Sequence, residues 1–136
     1  MIVADASVAA KWFLQEAGRS EALALRKAEP EIVAPEFIVA EILNAAWRNV
    51  RLGRIRPEEM KAIATAPPQR FFVRLFPFAP LAADTAEIAL SLDHPVYDCF
   101  YLALAERERC TLVTADERLY RKTRRTRFST VVRKLA

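Results

Sequence analysis

Short apolar runs alternate with longer segments in which apolar and charged residues are mixed. The short runs are apolar at almost every position, as expected of strands that are buried on both faces. They predict five strands, over residues 1–4, 31–34, 74–76, 111–114 and 129–132. The longer segments predict helices over residues 6 to about 16, 20–28, 35 to about 52, 57–66, 81 to about 92, 96–109 and 116–122.

Proline and glycine residues indicate where two of these helices begin and end. Pro35 is suited to the first position of the third helix, and Gly53 is an end signal for the same helix. Pro57 begins the next helix by the same reasoning, and Pro67 and Pro68 end it. The third and fourth helices are therefore predicted to be separate elements.

Strands that alternate with helices predict an α/β fold, in which a mostly parallel sheet of about five strands is covered by helices on both faces. The 136 residues contain no internal repeat, linker or low-complexity segment, so we expect a single domain over residues 1–136. In such folds, ligands bind at the carboxyl ends of the strands. We therefore expect the functional residues to lie at these ends.

Composition excludes several common kinds of enzyme. Only two glycines are present, which excludes the Gly-rich loops that bind dinucleotides or phosphates. The single histidine, His94, leaves no His-rich zinc site and argues against a Ser-His-Asp triad. Because His94 precedes Pro95 in a predicted turn, we expect it to be an ordinary surface residue. Cys99 and Cys110 are too few and too widely spaced for a zinc ribbon or a redox pair.

The sequence also predicts the compartment. The amino terminus lacks the basic start and cleavage site of a signal peptide, and no apolar run is long enough to span a membrane. Both cysteines are expected to be free thiols, which is typical of a reducing environment. We therefore expect a cytoplasmic protein without a membrane anchor.

Positive charge is concentrated at the carboxyl terminus. Residues 118–136 contain eight basic residues and no acidic residue, whereas the first 117 residues hold 13 basic and 17 acidic residues. An acidic body with a basic carboxyl-terminal stretch suggests a polyanionic partner that binds beside a carboxylate-rich site. A solvated helix face followed by a frayed tail would produce the same pattern.

Four carboxylates stand out because their neighbours in the sequence are apolar or form a predicted strand. Asp5 and Asp116 follow predicted strands, while Glu41 and Asp98 lie in apolar stretches of predicted helices. Carboxylates that converge on one edge of a sheet repel one another and raise one another's pKa values. A hard divalent cation such as Mg²⁺ or Mn²⁺ relieves this repulsion, and it can activate water for phosphodiester cleavage.

Each of these carboxylates also has a purely structural explanation. Asp5, Asp98 and Asp116 all lie where a helix N-cap is expected, and a single aspartate in that position is commonly a cap. Glu41 lies inside its helix, where the alternative is a buried salt bridge to an arginine. A shared metal site explains all four residues together, whereas the structural alternatives explain them one at a time.

Four segments of the sequence resemble the motifs of PIN-domain ribonucleases, and most closely those of the VapC toxins of prokaryotic toxin–antitoxin pairs. The segments are residues 2–7 (IVADAS), 39–44 (VAEILN), 97–105 (YDCFYLALA) and 112–116 (LVTAD). The resemblance implies a PIN-like three-layer α/β/α sandwich and a Mg²⁺- or Mn²⁺-dependent endoribonuclease. It implies an acidic quartet around the metal, formed by Asp5, Glu41, Asp98 and Asp116. Ser7 and Thr114 match the supporting hydroxyl positions of the family.

The resemblance also implies partners. They are an RNA substrate, a cognate VapB-type antitoxin that covers the acidic groove, and a second copy of the chain in a homodimer. The helix over residues 35–52 has more apolar residues than one buried face requires, which favours such an interface, and Trp12 and Phe13 are expected to extend it. A thick hydrophobic core would explain the same residues. Arg118, Arg121 and Lys122 are expected to form the rim that contacts RNA. Two alternatives remain: a structure-specific DNA nuclease of the same fold, and a mainly regulatory binding module.

Overall fold

A parallel sheet of five strands forms the centre of the computed structural model, which describes residues 1–66 and 70–135. Its order is β3-β2-β1-β4-β5, and every neighbouring pair is parallel. Val3 in the central strand pairs with Val33 on one side and with Leu112 on the other. The strands are β1 (Ile2–Ala4), β2 (Ile32–Pro35), β3 (Arg74–Phe76), β4 (Thr111–Thr114) and β5 (Val132–Lys134).

Helices cover both faces of this sheet. Because crossovers between parallel strands are right-handed, the four helices before β3 lie on one face and the three after it lie on the other. The helices are α1 (Ala6–Ala9), α2 (Arg19–Ala28), α3 (Ile38–Arg51), α4 (Pro57–Thr65), α5 (Ala82–Leu92), α6 (Val96–Arg107) and α7 (Glu117–Thr123). The predicted three-layer α/β/α fold is therefore confirmed. None of the helices in the described ranges combines the length and the apolar content that a membrane span requires.

The order of the strands determines where a ligand can bind. After β1 the chain moves toward β2, whereas after β4 it moves in the opposite direction, toward β5. The crevice between the carboxyl ends of β1 and β4 is therefore the topological switch point, which is the usual binding place in open parallel sheets. Asp5 directly follows β1, and Asp116 lies two residues after β4.

The first and third helices differ from the prediction. The helix predicted from residue 6 to about residue 16 is shorter: α1 ends at Ala9 and continues as a 3-10 turn (Ala10–Trp12). The chain turns there because Trp12 enters the core, where its indole N–H donates to the carbonyl of Ala22 at 2.9 Å. Pro35 is the last residue of β2 and not the first of α3. It pairs with β3 but lies beyond the last pair between β2 and β1, where its missing N–H breaks no ladder bond.

The last strand also begins later than predicted. The pattern placed it at residues 129–132, but residues Arg127–Thr130 form a 3-10 turn that carries Phe128 into the core. The side chain of Thr126 accepts a hydrogen bond from the N–H of Phe128 and starts this turn. β5 is an edge strand with exposed charges, which explains why its apolar signal is weak. Gly53 follows α3 with a φ of 70°, in agreement with its predicted role, whereas Pro67 and Pro68 lie outside the described residues.

Candidate active site

Asp5 lies at the switch point and is almost fully buried. It is the N-cap of α1, and its Oδ1 accepts hydrogen bonds from the N–H of Val8 at 3.2 Å and the hydroxyl of Ser7 at 2.5 Å. Its Oδ2 accepts a hydrogen bond from the hydroxyl of Thr114. The capping explanation is therefore correct for this residue, but capping occupies only one of its two oxygens.

The hydroxyls of Ser7 and Thr114 connect the ends of the two central strands. Ser7 Oγ accepts from the N–H of Ala115 at 2.8 Å, and Thr114 Oγ1 accepts from the N–H of Asp116 at 3.0 Å. Each hydroxyl therefore receives a backbone N–H from the chain after β4 and donates its own proton to Asp5. This arrangement holds the Asp5 carboxylate in one orientation.

Burial makes the charge on Asp5 costly. It raises the pKa of Asp5 from 3.8 to about 7, although the hydrogen bonds from Ser7 and Thr114 act in the opposite direction. The negative charge of Asp98 raises this pKa further. A carboxyl group in such a position is a strong ligand for a cation, because a nearby positive charge offsets both burial and repulsion.

Glu41 extends from α3 and is half-buried. The hydroxyl of Tyr101 donates to its Oε1 at 2.6 Å, so that its structural partner is a tyrosine and not the arginine considered from the sequence. Burial raises the pKa of Glu41, and the charge of Asp98 adds to this effect. Burial, followed by the charge of Glu41, raises the pKa of Tyr101 well above its usual value, so Tyr101 remains a hydrogen-bond donor.

Asp98 is held by the only histidine of the chain. His94 Nε2 lies 2.6 Å from Asp98 Oδ2, and the His94 side chain is only 2% exposed. The expectation that His94 is an ordinary surface residue was wrong. Asp98 is not a helix cap, because Pro95 occupies that position and Asp98 is the third residue of α6. Burial raises the pKa of Asp98, His94 lowers it, and the charge of Asp116 raises it again.

Asp116 completes the set from the other side of the crevice. It is the N-cap of α7, and its Oδ1 accepts from the N–H groups of Arg118 at 2.9 Å and Leu119 at 3.3 Å. One ligand atom each from His94, Asp98 and Asp116 lies within 4.8 Å of the others, a spacing compatible with one shared ion. Asp5, after the central strand, and Glu41, on α3, are not part of this cluster in the described residues, but the charge of Asp98 raises the pKa of both.

The donor set suits a hard divalent cation. Carboxylate oxygens dominate it, and three of its four carboxyl groups have raised pKa values because of burial and mutual repulsion. Mg²⁺ and Mn²⁺ prefer such oxygen ligands. The residues therefore fit the kind of ion that the sequence predicted, and within residues 1–66 and 70–135 none of the four carboxylates forms an ion pair with Lys or Arg.

Comparison with known proteins agrees with this geometry. A family model described as PIN domain matches residues 2–125. The chain belongs to the PIN-domain family. It is 32% identical over 120 residues to ribonuclease VapC9 of Mycobacterium tuberculosis, with 88% of each chain covered. It is also 27% identical over 122 residues to ribonuclease VapC3 of Pyrobaculum aerophilum, with 89% of this chain and 93% of the relative covered. The predicted resemblance to VapC-type PIN-domain ribonucleases is confirmed.

A solved structure supports the same fold. Mycobacterium tuberculosis VapC20, a sarcin-ricin loop cleaving toxin, superposes on this PIN domain with a TM-score of 0.69. The two chains are 18% identical, and the match covers 86% of this chain and 91% of the other. At this identity the likeness concerns the fold alone.

The three basic residues predicted to form a rim differ in their surroundings. Arg118 is exposed, and its charge is close enough to lower the pKa of Asp98. Arg121 is paired with Glu117 at 3.5 Å, and the ammonium group of Lys122 donates to the backbone carbonyl of Asp93. Of these three residues, Arg118 alone combines closeness to Asp98 with a guanidinium that is unpaired within the described residues.

Two residues of the site were not recognised from the sequence. Tyr101 lies three positions after Asp98 on α6, and His94 lies four positions before it. The four-residue spacing could have suggested the contact between His94 and Asp98, but Pro95 separates His94 from α6. Tyr101 looks like an ordinary core aromatic, and no local spacing points to its contact with Glu41. Trp12, in contrast, was wrongly assigned to an outer surface: it is 4% exposed and contacts Phe71 and Phe72 in the core.

Proposed function

We propose that this PIN domain is a Mg²⁺- or Mn²⁺-dependent endoribonuclease and the toxin of a VapC-type toxin–antitoxin pair. The observation that carries the proposal is that Asp98 and Asp116 lie at a spacing suited to one ion, while the charge of Asp98 also raises the pKa values of Asp5 and Glu41. The quartet of Asp5, Glu41, Asp98 and Asp116 would hold the ion. The family match and the VapC ribonucleases among its relatives support this assignment.

The side chains around the quartet have separate tasks in this proposal. Ser7 and Thr114 fix the orientation of Asp5, and Tyr101 fixes that of Glu41. When bound, the divalent ion supplies a Lewis acid that lowers the pKa of water and stabilises charge on a phosphate. Because the chain has no other histidine than His94, which is already paired with Asp98, proton transfer does not depend on a free imidazole.

Cleavage of end-labelled single-stranded RNA tests the proposed function. We expect endonucleolytic cuts in the presence of Mg²⁺ or Mn²⁺, no cuts with a chelator, and no cuts in DNA of the same sequence. Cleavage of structured DNA with intact RNA would favour the alternative nuclease. Intact RNA and DNA under all metal conditions, combined with metal binding in calorimetry, would favour the regulatory binding module.

His94 is proposed to position Asp98 rather than to contact the substrate. Replacing His94 with Ala is expected to reduce both Mn²⁺ affinity and cleavage by roughly 10- to 100-fold, the usual effect of losing a partner that orients a metal ligand. Mn²⁺ binding, measured by electron paramagnetic resonance, separates this role from a loss of folding. The His94→Gln variant retains an amide donor, so we expect it to recover part of the affinity. Unchanged Mn²⁺ affinity in His94→Ala would contradict the assignment.

An apolar hollow next to α3 is the proposed docking place of a VapB-type antitoxin. It lies between α3 and α4 and is lined by residues such as Phe13, Val39, Leu43, Ile63 and Phe71. Trp47, which does not line the groove beside Glu41, adds exposed apolar surface on α3, and we place the homodimer contact there. Free thiols at Cys99 and Cys110 are consistent with action in the cytoplasm, where RNA is available.

A further inference from the structure

A groove of about 740 Å³ opens beside Glu41, one of the four carboxylates, and runs along the exposed face of α3. At one end it is lined by Ser7 and Glu41, and at the other by Arg48 and Arg54. It therefore connects the proposed metal site with two positive charges. Glu16 also lines the groove, but its carboxylate is paired with Lys11 at 3.3 Å.

The sequence of α3 explains why these groups lie in one line. Glu41, Asn44 and Arg48 are three and then four positions apart, a spacing that places them on the same face of a helix. From Glu41 to Arg48 the helix rises about 10 Å along its axis. Arg48 is therefore placed to reach the backbone of a nucleotide beside the cleaved bond and not the cleaved phosphate itself.

The end of α3 brings the second arginine to the same groove. Gly53 has a φ of 70°, which turns the chain back at the end of the helix. The N–H of Gly53 then donates to Val50 at 3.0 Å and that of Arg54 to Asn49 at 2.9 Å. Arg48 and Arg54 are both exposed, and neither forms an ion pair within residues 1–66 and 70–135.

An exposed aromatic ring stands beside the carboxylate end of the groove. Tyr97 is 62% exposed, and the edge of its ring packs against Phe37 with the ring centroids 6.2 Å apart. Proteins that bind single strands combine a cationic track for the backbone with aromatic faces on which unpaired bases stack. Asn44, also exposed, adds an amide that can hydrogen-bond a base edge or a 2′-hydroxyl.

From this arrangement we infer that the groove beside α3 is the path of single-stranded RNA on one side of the cleaved bond. Arg48 and Arg54 bind backbone phosphates of the flanking nucleotides, and Tyr97 stacks on an unpaired base. The inference rests on the proposed nuclease function and adds a binding track on the opposite side of the quartet from the rim of Arg118, Arg121 and Lys122.

Binding of a fluorescent single-stranded RNA, with and without added salt, tests the track. All proteins carry Asp98→Asn so that the RNA is not cut. Each of Arg48→Gln and Arg54→Gln is expected to weaken RNA binding about fivefold. Each is also expected to make the negative slope of log affinity against log salt concentration less steep by about 0.7, the effect of one lost phosphate contact. Tyr97→Leu is expected to weaken binding, and Tyr97→Phe, which retains the ring, to preserve it.

Arg51→Gln is the matched control. Arg51 is exposed on the same helix, but it does not line the groove and its guanidinium lies over the ring of Trp47, 5.2 Å from the centroid. Equal losses in Arg48→Gln, Arg54→Gln and Arg51→Gln would show only a general charge effect and would overturn the track. DNA binding as tight as RNA binding, with the same losses, would overturn RNA as its occupant.

The outcome also separates the track from the nuclease function. If the wild-type protein does not cut RNA with either metal but Arg48→Gln and Arg54→Gln still weaken RNA binding more than Arg51→Gln, the track stands and the proposed nuclease fails. If the wild-type protein cuts RNA and the three variants bind alike, the nuclease stands and the track fails.

Discussion

Asp98→Asn is expected to abolish RNA cleavage while leaving the metal-free protein at least as stable as the wild type. Asp98 is the carboxylate whose charge reaches the other three members of the quartet, so its loss removes a ligand from the centre of the site. We expect cleavage to fall by about 10³-fold or more, because a metal ion supplies several kcal/mol of transition-state stabilisation. Cleavage rates measured at saturating Mg²⁺ give this comparison.

The expected stability of the metal-free Asp98→Asn variant follows from the repulsion between the carboxylates of the site. Burial and Asp116 both raise the pKa of Asp98, so the ionised carboxylate is unfavourable in the metal-free fold. An asparagine removes the charge, and its amide oxygen can still accept a hydrogen bond from His94. Urea unfolding at pH 8 with a chelator measures the effect. A marked loss of stability in Asp98→Asn would show that the carboxylate is needed for the fold itself.

Asp93→Asn is a suitable control for both measurements. Asp93 is exposed, lies five residues before Asp98 and has a left-handed backbone conformation with a φ of 50°. Asparagine tolerates this conformation well, so the substitution changes the same chemical group without strain. We expect its cleavage rate and its stability to match the wild type. Loss of cleavage in this control would mean that Asp98→Asn acts through a general change of charge.

The free energy of unfolding of the metal-free protein is expected to decrease as the pH rises from about 4 to about 7. The pKa of Asp5 is about 7 in the folded state and close to its ordinary value of 3.8 in the unfolded chain. Between these values the folded state binds more protons than the unfolded state, so stability falls with rising pH. A difference of about three pKa units corresponds to a loss on the order of 4 kcal/mol. The raised pKa values of Glu41 and Asp98 act in the same direction.

A series of urea unfolding curves from pH 4 to pH 8, recorded with a chelator, tests this prediction. The change with pH in the difference between wild type and Asp5→Asn measures the contribution of the Asp5 charge. Adding Mg²⁺ at pH 8 is expected to restore stability, by about 2.7 kcal/mol at a concentration 100 times the dissociation constant. A flat difference between the two proteins over this pH range would contradict the proposed burial of the charge.

From the sequence alone we could predict the first four strands to within one residue, the fold class, and the places of Asp5 and Asp116 after β1 and β4. β1 and β4 are short runs of apolar residues, and such runs are stable only when both faces of the strand are buried. Their burial places Asp5 and Asp116 at one edge of the sheet, whatever the details of the helices. These features depend on local patterns, which is why they could be predicted.

Which side chains contact one another depends on the packing of elements that are distant in the sequence. Tyr101 reaches Glu41 because α6 and α3, 60 residues apart at this contact, converge at the carboxyl edge of the sheet. Arg54 lines the same groove as Glu41 because the chain turns back at Gly53. The start of β5 was misplaced for the same reason, since its register depends on pairing with Leu112 and on the burial of Phe128. The spacing of apolar residues along the chain indicates which residues are buried, but contacts between distant elements depend on how those elements pack.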